Sequence, residues 1–395
     1  MSPFRNPRLV EWTAIGSLLA VVAGIPLWQA THEFLDRGRI HLVSLFTRMP
    51  TKENLHGWDR QARDNSLVGS FVRPRLLQLQ YDLFGDAGPK AVVGRDGWLF
   101  YRPDVEYIAF PATTSSRFYL GSFDTTIAGR RSNLRDPLVA IRDLHQQLAA
   151  RGIVLVVVPV PGKPTVYPEM LAGSDVDIEA SPTLALLDSL RASGIAAVDI
   201  VRPLRAAKSA AESELYLRRD THWSPAGVDV AAHAIATRLL DLPEVAAKRD
   251  SLRYRARDTV VERWGDVAEM SALPRRRDIW KTESVTARRV EDSSGNAYAD
   301  SDSAAIVWMG DSYSRIYQTD APGAAGVIAQ VARLTGQPLA TIVNDGGAST
   351  VVRRTLARKP HLLKHAKVVV WEFVERDIRF GDKGWSLEQI APEKP

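Results

Sequence analysis

Four short apolar runs, residues 153–158, 304–309, 338–343 and 366–373, most constrain what this chain can fold into. A strand buried on both faces reads as a nearly continuous apolar run, not as an alternation. Segments of helical spacing lie between these runs. Leu134, Leu138, Ile141, Leu144 and Leu148 recur at three- and four-residue steps, and Gly152 stops the pattern. Helical patterns over 183–190, 322–335 and 349–358 and a short strand over 195–200 continue the alternation. Ser224 and Pro225 supply a cap and a first-turn proline for a helix from 226 to about 240. Strands separated by helices predict an α/β protein with a parallel sheet covered on both sides. Residues 92–101 read as a hairpin about Arg95-Asp96-Gly97. Residues 248–303 read as a basic, less regular stretch, and the chain from about Glu388 as a loose tail.

The amino terminus obeys a different pattern. Residues 12–28 carry no charge, near the lower length limit for a membrane span. Arg5 and Arg8 precede this stretch, and Trp12 and Trp28 stand at its ends as interfacial anchors would. No convincing cleavage site follows, so a signal anchor is expected, with the bulk of the protein outside the cytoplasm. Arg37 and Arg39 on the far side leave the orientation open by charge alone. The alternative is a buried helix of a soluble domain, but the polar region that follows offers no early partner for it. The expected organisation is an anchor over 1–30, a stalk and helical lead-in over 31–90, a catalytic domain over 91–380 and a tail over 381–395. The net charge of +5 is that of a solvated basic surface, or of one with affinity for an anionic polymer or lipid headgroups. No zinc-finger spacing or RNP motif accompanies it, which argues against nucleic acid. The chain has no cysteine, which excludes disulfides, thiolate metal sites and a cysteine nucleophile.

Chemistry concentrates in two places. Asp220-Thr221-His222-Trp223 follows a strand-like run, residues 215–219. In extended backbone, positions i and i+2 share a face, so Asp220 could hold one imidazole nitrogen of His222 while the other meets a substrate. Gly310-Asp311-Ser312-Tyr313-Ser314 follows the apolar run 304–309 and supplies a serine at a strand-to-turn junction. Ser312 is the candidate nucleophile, His222 the general base and Asp220 its orienting acid. The Ser312 N–H, Asn344, Gly346 and Gly347 are candidates for an oxyanion hole, because Asn344-Asp345-Gly346-Gly347 also lies between a strand and a helix. Lys163 and Tyr167, on the proline-rich exit loop of the first strand, and Trp223 and Tyr313, beside the two motifs, are candidates for a sugar groove. A rigid structural loop is the other reading of the proline-rich segment. No further His/Asp cluster completes a metal site around Asp220 and His222, and none is assigned. The acids of Trp371-Glu372-Phe373-Val374-Glu375-Arg376 are expected to pair with arginines.

In chain order, Gly94-Arg95-Asp96-Gly97-Trp98-Leu99-Phe100, the Pro-x-Pro-x-Lys-x-x-x-Tyr-Pro-Glu loop ending at Glu169, Asp-Thr-His-Trp, Gly-Asp-Ser-Tyr-Ser and Trp-Glu-x-x-Glu-Arg form a set. It resembles the AlgJ/AlgX-like proteins, SGNH-hydrolase-like polysaccharide O-acetyltransferases of bacterial exopolysaccharide systems, over roughly residues 90–378. The resemblance implies a three-layer α/β/α sandwich with permuted motif order, the Asp-x-His block preceding the serine block. It also implies a periplasmic, single-pass protein of the inner membrane in which Ser312 carries an acetyl group. On this reading no cofactor is needed: a membrane-bound O-acyltransferase delivers the acetyl group, and a polysaccharide such as alginate accepts it. Too little chain follows Arg376 for the carbohydrate-binding module of the AlgX type, so the anchored, AlgJ-like arrangement is expected. The family often has Thr where Asp311 stands. A carbohydrate acetylesterase using the same three residues, and a non-catalytic scaffold of a secretion complex, are the rival functions.

Overall fold

A computed structural model of the protein describes residues 7–47, 49–109, 136–175, 181–247, 252–380 and 384–390. The chain divides into two compact units, residues 1–86 with 272–275, and residues 87–271 with 276–395.

In the first unit, α1 (Pro7–Leu19), a π-turn at Ala20–Gly24 and α2 (Ile25–Arg37) make one continuous helix. Its stretch Glu11–Arg37 is long and apolar enough to cross a membrane, and its apolar window is entirely unburied. Gly38 ends it in the left-handed conformation that favours glycine (φ 63°), its N–H donating to Phe34 O. Three helices follow: α3 (His41–Thr47), α4 (Lys52–Asp64) and α5 (Leu67–Phe84). Thr51 and Ser66 cap α4 and α5 with side-chain oxygens, and Gly85 closes α5. Arg5 lies outside the described residues.

The second unit opens with β1 (Ala91–Val93) and β2 (Leu99–Tyr101), an antiparallel hairpin about Asp96. Among the described residues, α6 (Arg102–Ala109) and α7 (Pro137–Ala149) precede β3 (Val154–Val160). Then come α8 (Pro182–Ala192), β4 (Ala196–Ala197), α9 (Pro225–Leu240), β5 (Arg255–Arg263) and β6 (Glu283–Glu291). The chain finishes through β7 (Ile306–Gly310), α10 (Val327–Thr335), β8 (Leu339–Val343), α11 (Val351–Arg358) and β9 (Val368–Val374). The central sheet is parallel throughout, in the order β4-β3-β9-β7-β8.

Alternate residues of each strand feed two cores, which is why the runs are apolar throughout. Val156, Val158, Ile306, Trp308, Val368 and Val370 pack on one side with Val228 and Ile235 of α9 and Val327 and Val331 of α10. Leu155, Val157, Val307, Met309, Val369 and Trp371 pack on the other with Ile141 and Leu144 of α7, Leu186 of α8 and Val352 of α11.

Four expectations are corrected. Residues 215–219 form no strand: a single antiparallel bridge, Tyr216 to Trp223, closes them into a tight turn, because their polar groups bond to side chains instead of a ladder. The strand expected over 195–200 shrinks to Ala196–Ala197 at the sheet edge. The basic stretch 248–303 contains a nine-pair antiparallel ribbon, β5 with β6. Residues 384–390 are not loose, since Trp385 and Ile390 are buried in the second core and Arg354 pairs with Glu388 at 2.8 Å.

Candidate active site

Parallel strands in an open sheet leave their C-terminal ends as the place where loops can gather. β7 ends at Gly310, and the short helix Ser312–Arg315 starts at once. Asp311 caps it: Oδ1 accepts from the Tyr313 N–H at 2.8 Å, and Oδ2 accepts from the Val374 N–H at 2.9 Å. Glu372 on β9 completes the brace, accepting from the Asp311 N–H at 3.0 Å and from the Ser314 hydroxyl. Burial, with the Asp311 charge beside it, pushes the Glu372 carboxyl well above its ordinary range. Gly310 is required here, because a Cβ would collide with Ser314 Oγ and Glu372 Oε2. Ser312 is thus left half-exposed on a rigid turn, and its N–H and hydroxyl have no partner among the described residues.

The turn carrying His222 has no ladder, so its backbone groups need other partners. Three charged side chains supply them. Lys163 Nζ, buried, donates to Leu217 O, Arg218 O and Asp220 O at 2.9, 2.9 and 2.7 Å. Glu283 accepts from the N–H groups of Arg218 and Arg219 at 2.8 and 2.9 Å. Asp266, at the start of the short helix Asp266–Met270 just after β5, accepts from the Thr221 N–H at 2.6 Å and from its hydroxyl at 3.0 Å. Within the turn, the Nδ1 of His222 lies 2.6 Å from Asp220 Oδ1, which also accepts from the His222 N–H at 3.0 Å. Assigning the ring proton to Nδ1 leaves Nε2 with its lone pair. That atom is covered and has no partner among the described residues.

Tyr313 joins the two turns. Its hydroxyl donates to Thr221 O at 2.9 Å, and its ring lies 4.8 Å from the His222 ring and edge-on to Trp223 at 5.2 Å. The serine-bearing turn and the histidine-bearing turn therefore meet through the residue next to Ser312. No hydrogen bond between Ser312 and His222 is formed among the described residues; such bonds are often long before substrate binds.

Electrostatics favour a charged pair. Burial would depress the His222 imidazole, but the charge and hydrogen bond of Asp220, aided by Asp266 and Asp311, outweigh it and hold the ring above its usual value. Burial likewise opposes ionisation of Asp220, yet the imidazole and Arg263, 3.7 Å away, hold that carboxyl far below its usual value. Loss of water and the Asp220 charge raise Asp266 to about 6. Burial lowers Lys163 to about 8 against the pull of Asp220, Glu283 and Asp266.

The groove expectation fails at four positions. Lys163, Trp223 and Tyr313 are at most 1% exposed and Tyr167 6%, with the Tyr167 hydroxyl accepting from the Leu215 N–H at 2.9 Å. All four are spent holding the site together, so none lines an open groove. Among the oxyanion candidates, the Gly347 N–H donates to Asn344 O at 3.0 Å and the Asn344 N–H to Gly310 O at 3.0 Å, which removes both. The Ser312 and Gly346 N–H groups and the exposed Asn344 side chain remain. The acids of β9 do not pair with arginines. Glu375 accepts from the Gly162 N–H at 2.7 Å and from the hydroxyls of Thr165 and Thr183, and Arg376 pairs with Asp104.

Asp266, Arg263 and Glu283 were not legible as site residues, because they sit on the ribbon or just beyond its end and only folding brings them to the turn. Asp266 also gives Asp220 and His222 the third donor that sequence spacing lacked: the three donor atoms lie within 4.8 Å of one another. Each acid is already engaged, Asp220 by His222, Arg263 and the Asp266 N–H, and Asp266 by Thr221. The set is built to orient an imidazole.

A parallel sheet with a serine turn and an Asp-His turn at its C-terminal edge defines an SGNH-hydrolase-like protein. Residues 91–375 match the family described as "SGNH hydrolase-like domain, acetyltransferase AlgX", and the chain belongs to that family. It is 27% identical over 346 residues to the probable alginate O-acetylase AlgJ of Pseudomonas aeruginosa, covering 79% of this chain and 78% of that protein. The Pseudomonas syringae AlgJ is likewise 27% identical, over 329 residues, 78% of this chain and 76% of that protein. The fold is similar to the O-acetyltransferase domain of Pseudomonas putida AlgJ, with a TM-score of 0.57 and 21% identity over 74% of this chain and 93% of that one. It is also similar to Pseudomonas aeruginosa AlgX, with a TM-score of 0.52 and 21% identity over 72% of this chain and 61% of that one.

Proposed function

We propose that this protein is a membrane-anchored O-acetyltransferase that moves an acetyl group, through an ester on Ser312, to hydroxyls of an extracytoplasmic bacterial polysaccharide. The similarity to probable alginate O-acetylases makes alginate the first acceptor to test. The observation that carries the reading is the hydrogen bond from Tyr313, the neighbour of the unpartnered Ser312, to the turn that holds the carboxylate-bound His222, in a chain of an acetyltransferase family.

The chemistry runs in two halves. His222 Nε2 takes the Ser312 proton as Oγ bonds to the acetyl carbonyl carbon. The resulting oxyanion faces the Ser312 N–H, with the Gly346 N–H or Asn344 amide as second donor. Collapse breaks the bond to the donor's leaving atom, which receives the proton from His222. A sugar hydroxyl then gives its proton to Nε2, attacks the acetyl-serine, and the proton returns to Ser312 Oγ. Asp220 stays ionised and holds the imidazolium. A membrane-bound O-acyltransferase is the proposed donor, and the apolar helix is the proposed single inner-membrane span, with the second unit in the periplasm.

The test is Ser312→Ala as the only copy in cells. Loss of polymer acetylation with the protein present and folded is expected; unchanged acetylation overturns the proposal. Purified protein given an activated acetyl ester with and without oligosaccharide separates transfer from hydrolysis. Acetate release indifferent to sugar marks an esterase.

A further inference from the structure

The first unit carries an apolar surface that the proposed reaction does not use. On α5, Val72, Leu76, Leu79 and Leu83 follow one another at four- and three-residue steps, which places them within about 60° of one another around the helix. They are 47, 51, 51 and 63% exposed. Phe71 is also well exposed, and Phe84, with Phe46 and Met49 around the end of α3, more so than any of the four. The opposite side of α5, with Leu77 and Tyr81, is half-buried, so the bare stripe is the outward one.

Charge frames this stripe. At 3.6 residues per turn Arg73 and Arg75 fall on its two flanks, and the Arg75 guanidinium lies 3.8 Å over the Phe71 ring. Residues 39–85 hold seven Lys and Arg against four Asp and Glu. An apolar stripe edged by arginines is the pattern of a helix lying in a membrane surface, its stems among lipid and its cations at phosphate level.

The height of α5 relative to the apolar helix is set by hydrogen bonds. Gln29 Nε2 donates to Asn65 O at 2.8 Å, and Gln29 Oε1 accepts from the Leu67 N–H at 2.8 Å. Arg37 donates to Asn65 Oδ1 at 3.2 Å. Gln29 immediately follows Trp28, where the apolar run gives way to the polar Gln29-Ala30-Thr31-His32 before the first charge at Glu33. The first residue of α5 is therefore pinned at the level where a span leaves hydrocarbon.

We infer that α5 lies in the membrane–water interface, with the Val72-Leu76-Leu79-Leu83 stripe immersed in an anionic lipid surface. This rests on the anchored reading given above. The helix thereby acts as a second, lateral attachment that stops the chain pivoting about its span.

Because the chain has no cysteine, single labels report cleanly. Full-length Val22→Cys, Leu76→Cys, Leu79→Cys, Leu83→Cys and Asp82→Cys are spin-labelled and reconstituted in vesicles of phosphatidylethanolamine and phosphatidylglycerol. Collision with oxygen and with a water-soluble nickel chelate is then compared. Expected are oxygen-favoured labels at 76, 79 and 83, shallower than at 22, and a nickel-favoured label at 82. Lipid-facing 22 with nickel-favoured 76, 79 and 83 overturns the inference and leaves the anchor standing. A nickel-favoured label at 22 overturns the anchor and this inference with it. Labels at 76, 79 and 83 shielded from both reagents show a protein face, packed against a second copy, and overturn the lipid assignment.

Discussion

His222 is the residue through which most of the site acts, because its two ring nitrogens have different company. Nδ1 faces Asp220 at 2.6 Å and Asp266 at 3.6 Å; Nε2 faces no partner among the described residues. The raised imidazole must lose its proton to act as a base, so serine reactivity should fall as pH drops through a value above 6.5. A fluorophosphonate labelling rate measured against pH reads this limb directly. Asp266→Asn removes one of the charges that hold the imidazolium, so the limb should move to lower pH. An unmoved limb would mean that Asp266 serves only as a backbone brace. Lys163 acts at one remove. Lys163→Met should leave the Leu217 and Asp220 carbonyls unpaired, while Arg218 O keeps the Leu99 N–H, and should cost about 3 kcal/mol of stability and slow labelling about ten-fold. Thermal unfolding and labelling of the folded fraction separate the two effects.

Among the elements, the β5–β6 ribbon has the largest influence that its sequence conceals. One face packs on the core through Val261, Val285, Ala287 and Val290, but charged residues interrupt both strands, so no clean apolar alternation announces them. Yet its ends deliver Arg263, Asp266 and Glu283 to the histidine turn. Gly265 makes the junction possible, since a Cβ there would meet Arg219 O and lie 2.7 Å from the Asp220 N. Gly265→Ala is expected to push the ribbon end off the turn, lowering serine labelling more than ten-fold while the central sheet keeps its far-ultraviolet dichroism. Normal labelling in this variant would show that the ribbon does not position His222. The turn itself was misread as a strand end for a related reason. Its i to i+2 relation survives, as the Asp220–His222 bond shows, but side chains satisfy its backbone where a neighbouring strand would have done so.

For the whole molecule, buried acids behind the sheet edge tie stability to pH. Glu375 is fully buried, and loss of water raises it to about 7, opposed by its bonds to Thr165, Thr183 and Gly162. A carboxyl whose folded value is raised gives stability that is full below its unfolded value near 4.5 and is lost as pH rises through about 7. Glu372 is raised in the same direction. Melting temperature should therefore fall across this interval, by the equivalent of about 3 kcal/mol for Glu375 alone. Glu375→Gln should flatten the dependence; a slope unchanged in that variant would assign it to other groups.

What the chain determined by itself was the parallel α/β plan and the local pairing of Asp220 with His222, with Ser312 on the turn after a central strand. Both are written locally: double-sided burial makes a strand apolar throughout, and an acid two residues from a histidine reaches the same ring nitrogen whether the backbone is a strand or a turn. Tertiary structure alone decided which polar residues face substrate and which are spent on support. Lys163, Tyr167, Trp223 and Tyr313 have the chemistry of a sugar groove and the surroundings of a core. Asp266 and Glu283, far along the chain, close the turn they never adjoin in sequence. Burial and the pairing of backbone groups depend on contacts between distant segments, and no local spacing records them.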